Sequence, residues 1–161
     1  MNSTFVRTRL ALVQGVALEH TATTSLMEAL GPVDDIRVLL IGPHTLETMC
    51  ALMRRGCAAV TTLHVGDRTD SSSADLAIIS RLASPEAADQ ALAQARRALV
   101  PLSRIVVTLD ADDPATLREH VMEGLTRRGF LRTRSWALGD MVVIEAELPL
   151  FGRPLAVAAC A

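Results

Sequence analysis

Gly42 and His44, then His64 and Asp67, then Ser80 and Arg81, and finally Asp110 each follow a short run of aliphatic residues. If those runs are adjacent parallel strands, all seven positions share one rim, because ligands of open parallel sheets bind beyond the carboxyl ends of the strands. Imidazoles, carboxylates, a hydroxyl and a guanidinium on one rim would suit a small anion or a nucleoside. No catalytic group is indicated among them. His44, Cys50, Cys57 and His64 do not make a zinc site: Cys50 is expected on the buried stripe of a helix and Cys57 at a strand start, so no tight ligand pair forms. Neither thiol is expected at a strand end beside a histidine, which argues against a cysteine nucleophile. His20 and His120 fall in helical stretches without a catalytic partner, and Asp113, in the acidic trio with Asp110 and Asp112, reads as a helix cap.

Composition removes further classes. All 16 basic residues are arginine and there is no tyrosine, so a Schiff-base lysine, a Gly-Lys-Thr/Ser phosphate loop and a tyrosine acid or nucleophile are not encoded. A net charge of −2 and few aromatic residues argue against nucleic acid, whose phosphates need a basic face and whose bases need stacking partners. No apolar run is long enough for a membrane span, although the sequence is 50% hydrophobic. Cys50, Cys57 and Cys160 form no CxxC pair and suggest reduced thiols in the cytoplasm. Arg7 and Arg9 precede an apolar stretch, but Gln14 and Glu19 interrupt it, so a helix is expected there and not an export signal.

The elements that would carry the rim are readable from pattern. The 161 residues are expected to fold as a single domain, with an N-terminal helical segment over 1–31 and an apolar tail over 149–161. Phe5, Val6, Leu10, Val13, Val16 and Ala17 recur at helical spacing; a second helix is expected to start in a capping box at Ser25 and stop at Gly31-Pro32. Leu46, Met49, Cys50 and Met53 make the apolar stripe of a helix that ends at Arg54, Arg55 and Gly56. Ser84-Pro85-Glu86 and Asp113-Pro114 each read as an N-cap followed by a proline in the first turn, and both helices end in paired arginines that suit the helix dipole. Between them, Val38 to Ile41, Ala59 to Val65, Asp75 to Ile79 and Arg104 to Leu109 are near-continuous apolar runs, the pattern of parallel strands covered on both faces. Arg132 to Leu138 and Met141 to Leu148 flank Gly139-Asp140 as a hairpin. The expected fold is α/β: a Rossmann-like three-layer sandwich whose mostly parallel sheet ends in an antiparallel hairpin.

From Arg37 to Leu148 this pattern resembles the class I S-adenosylmethionine-dependent methyltransferases, whose sheet ends in such a hairpin. Ala74 to Ile79, then Ala95-Arg96-Arg97-Ala98-Leu99-Val100-Pro101-Leu102-Ser103 leading into Arg104 to Val107, is similar to the family's approach to its fifth strand. Gly124 to Phe130 resembles the helix end before its terminal hairpin. The resemblance implies that S-adenosylmethionine would lie on the rim, against Gly42, His44, His64, Asp67, Ser80 and Arg81. It also brings out departures. His44 and Leu46 stand where further loop glycines are expected, His64 stands in place of the acid that binds the ribose hydroxyls, and Leu102-Ser103 replaces paired glycines. The span from His64 to Asp75 is too short for the family's intervening elements, so one helix and one edge strand are expected to be missing.

Two functions of different kinds follow. One is a methyltransferase-like domain that has lost catalysis and serves as a binding, regulatory or assembly module. The other is an active enzyme that transfers a methyl group to a small molecule by proximity and alignment; binding of another nucleotide at the same rim is a third reading. A homodimer is expected through the N-terminal helix, the C-terminal tail or the exposed sheet edge.

Overall fold

The computed structural model describes residues 24–43 and 46–150. The helix expected within the first twenty residues, His44 and the tail from Phe151 onward lie outside the described residues. Strand β1 (Arg37–Ile41), helix α1 (Leu46–Arg54), β2 (Ala59–Leu63), β3 (Ala74–Leu82), α2 (Pro85–Ala98), β4 (Leu99–Leu109), α3 (Pro114–Arg127), β5 (Leu131–Leu138) and β6 (Met141–Glu147) follow one another along the chain. They build one six-stranded sheet in the order β2-β1-β3-β4-β6-β5. The β2-β1-β3-β4 part is parallel, and β6 joins β4 antiparallel before pairing with β5 across the Gly139-Asp140 turn.

Side chains alternate across the strands and so feed two cores. Leu39, Ile41, Ala77, Ile79, Ile105, Val107 and Ile144 meet α2, α3 and Phe130 on one face. Val38, Leu40, Leu76, Ile78, Val106 and Val143 meet Leu52 of α1 and the segment holding Leu26, Leu30 and Val33 on the other. Both proline-led helices are capped as expected. Ser84 Oγ accepts from the Ala87 N–H at 3.3 Å, and the Asp113 carboxylate accepts from the Thr116 N–H at 3.2 Å. Where α2 and α3 cross, a Cβ on Gly124 would come within 2.9 Å of Leu92 Cδ1, so a larger residue there would have to push the Leu92 side chain aside.

Three expectations need correction. Residue 24 is already helical, so Ser25 lies inside the short helix and does not cap it. The stripe of α1 is rotated out of the core: Leu52 is fully buried, whereas Leu46 is 74% and Met53 54% exposed and Cys50 is only half-buried. The hydrophobic period gave the helix correctly but not which side meets the sheet, because α1 lies over the edge strand and has less sheet to cover. Strand β4 also begins at Leu99, five residues before the apolar run suggested, with Leu102 at φ 63.

The connection from β2 to β3 contains no helix and no strand. It runs beside α2 and is bonded to it, with Ser72 and Ser73 N–H donating to the Arg97 and Ala98 carbonyls. Strand β2 is therefore at one edge of the sheet, as expected from the short span.

Candidate functional site

The carboxyl ends of β1, β3 and β4 form a tight polar seam. Gly42 leaves β1 at φ 100, and a Cβ there would sit 2.8 Å from the Ser80 carbonyl oxygen. Glycine is thus required for the turn to pass β3, whatever lies beyond it. Ser80 Oγ donates to the Pro43 carbonyl and fastens the same turn.

Strand β3 bulges at this end: its register against β4 shifts between Ile79 and Leu82, and Arg81 adopts φ 56. The bulge turns the Arg81 N–H toward Thr108 Oγ1, 2.9 Å away, and aims its guanidinium at Asp110. Nε and Nη2 lie 2.9 and 2.8 Å from Asp110 Oδ2. Re-aiming a side chain at a strand end is a common use of a bulge. Here the side chain is aimed at an internal partner.

His64 and Asp67 belong to a separate turn at the end of β2. The His64 N–H donates to Asp67 Oδ2 at 2.8 Å, and the Asp67 N–H returns to the His64 carbonyl at 3.2 Å. The turn is held from below by Gln94, a residue the pattern of the sequence did not single out. Its amide donates to the His64 and Asp67 carbonyls at 3.0 and 2.7 Å and accepts from the Gly66 N–H at 3.0 Å. Gln94 is 7% exposed and sits in the alanine-rich stripe of α2. A lone amide in such a stripe, opposite a helix-free crossover, was the available signal.

Of the expected site residues, the structure brings Gly42, Ser80, Arg81 and Asp110 together, and it places His64 and Asp67 at the neighbouring strand end. Among the described residues no cluster of three or more histidines, cysteines and carboxylates is placed to hold a metal ion. Burial pushes the Cys57 thiol up from its ordinary value, the opposite of what a nucleophile needs. No helix among the described residues is long and apolar enough to cross a membrane.

At the other end of the sheet lies a cleft of about 320 Å³ bordered by Leu102, Leu131 and Leu150. Leu148 is buried beside it and extends the β4–β6 ladder, exchanging bonds of 2.9 and 2.7 Å with Leu102 and Ser103.

No family model and no curated protein matches the sequence. Solved structures do match the fold. The apo form of the S-adenosylmethionine-dependent methyltransferase SibL superposes with a TM-score of 0.62 at 17% identity, over 83% of this chain and 56% of that one. This chain has the class I methyltransferase fold. A ribosomal protein L11 methylase from Lactobacillus delbrueckii subsp. bulgaricus gives 0.61 at 13% identity, covering 80% of this chain and 77% of that chain. The T. thermophilus 16S rRNA N2 G1207 methyltransferase, solved with AdoMet and guanosine, gives 0.61 at 17% identity over 83% of this chain and 40% of that chain. The chain spans only about half the length of the SibL and CurJ methyltransferases that it matches.

Proposed function

We propose that this methyltransferase-fold domain is non-catalytic and acts as a binding, regulatory or assembly module. The observation that carries this reading is the engagement of the rim. Ser80 bonds Pro43, Arg81 pairs with Asp110, and one Asp67 oxygen is taken by the His64 backbone. A ligand using these groups would have to displace bonds already made, at a net cost of up to about 1 kcal/mol for each at such exposed positions. His64 supplies at most one hydrogen bond through a given ring nitrogen, not the paired acceptors that a carboxylate offers to two ribose hydroxyls. Among the described residues, these features weigh against a site for S-adenosylmethionine.

The alternative, an active S-adenosylmethionine-dependent methyltransferase acting on a small molecule, draws on the fold and on the AdoMet-bound relative. Isothermal titration of the full chain with S-adenosylmethionine and S-adenosylhomocysteine separates the two. No saturable heat and no change in thermal midpoint are expected. Saturable binding of either compound, weakened by His64→Ala, would overturn the non-catalytic reading in favour of the enzyme.

A further inference from the structure

The two edges of the sheet are built differently. Strand β5 carries Arg132 and Arg134 and a register shift between Leu131 and Arg134, the charges and irregularity that keep an edge from pairing. Strand β2 reads Ala59-Val60-Thr61-Thr62-Leu63, with no charge and no proline, and stays in register with β1 throughout.

Its outward groups can be assigned. The Gly42 N–H donates to the Leu63 carbonyl at 3.0 Å. A strand residue turns its N–H and C=O to the same side, and the side alternates along the strand. The backbone of Thr61 and Leu63 thus faces β1, and that of Val60 and Thr62 faces away from the sheet. No described residue bonds to those outward groups.

The exposed stripe of α1 lies on the same side. Helix α1 packs on β2 through a β1-α1-β2 crossover, which is right-handed in nearly all proteins. With Leu52 against the sheet, Met53 follows about 100° further round the helix, which turns it outward past β2.

We propose that β2 is the docking edge for β2 of a second copy of this chain, paired antiparallel about a two-fold axis at Thr61. Val60 and Thr62 then exchange both backbone bonds with the partner's Thr62 and Val60, so the edge is self-complementary. An axis normal to the sheet keeps both α1 helices on one face, where Leu46 and Met53 of each copy cover the seam. No like charges meet along the paired strands, and a helix could not satisfy the outward strand groups.

Sedimentation velocity on the full chain, without ligand, tests this. A dimer is expected. Proline is tolerated where an edge N–H faces outward, so Thr62→Pro should leave the ladder to β1 intact and remove the dimer. Met53→Arg, at an exposed helical position, should do the same, with the far-ultraviolet circular dichroism of both variants unchanged. A wild-type monomer at every concentration would overturn the proposal, as would a dimer that withstands Met53→Arg. A dimer lost only on deletion of residues 1–23 would assign the contact to that segment and overturn it equally. Because the readout is mass in the absence of ligand, its outcome is separate from that of the titrations with S-adenosylmethionine.

Discussion

Gln94 and Gly42 hold the two halves of the rim, and each makes a prediction. The Gln94 amide serves three backbone groups of the 64–67 turn. Gln94→Ala should lower unfolding free energy by about 1–3 kcal/mol, the range for leaving buried polar groups unpaired, as measured by urea denaturation. Gly42→Ala should cost at least about 1 kcal/mol, since a left-handed residue gains a Cβ against a backbone oxygen that cannot swing aside. His64 is exposed. His64→Ala should change stability by less than about 0.5 kcal/mol, which makes it a clean probe for ligand binding.

At the scale of elements, β1 and β3 are joined at their amino ends by Arg37 and Asp75, bonded at 2.9 and 3.0 Å. The Arg37 guanidinium holds the Asp75 carboxyl below its ordinary value. A carboxyl depressed in the folded state adds stability that is complete above its unfolded pKa and disappears as pH falls through the folded one. The contribution of this pair should thus fade below about pH 4, the ordinary range for aspartate. Asp75→Asn should flatten that part of the acid limb when urea midpoints are compared across pH. On the helical side, burial raises the Asp89 carboxyl, but bonds from Arg128 and His120 outweigh it and bring the net value down. That cluster ties α2 to α3, and Asp89→Asn should weaken the same limb independently. The elements themselves were legible: the proline-led caps at Ser84 and Asp113, the Gly139-Asp140 hairpin and the helix-free crossover all stand as their residues imply. The rotation of α1 was not, because a stripe of Leu46, Met49, Cys50 and Met53 reports a helix side without reporting what lies beside it.

For the molecule as a whole, the shortened β2–β3 connection decides the exposed surface. It leaves β2 at the edge of a sheet whose opposite edge is charged and bulged. If two copies join there, unfolding is linked to dissociation, and the thermal midpoint should rise with protein concentration. Thr62→Pro should abolish that dependence when scanning calorimetry is run at several concentrations.

Taken alone, the amino-acid order determined the α/β class, the parallel-then-antiparallel sheet and the rim positions, because apolar periodicity, caps and turn residues act within a few neighbours along the chain. Only the tertiary structure decided that Ser80, Arg81 and Asp67 are already bonded within the rim, that Gly42 is demanded by β3, and that Gln94 supports the β2 turn. Those partners lie 27 to 38 residues apart, apart from the short His64–Asp67 turn. Hydrogen-bond partnership over such separations depends on which strands become neighbours and where a bulge falls, and no local pattern encodes either.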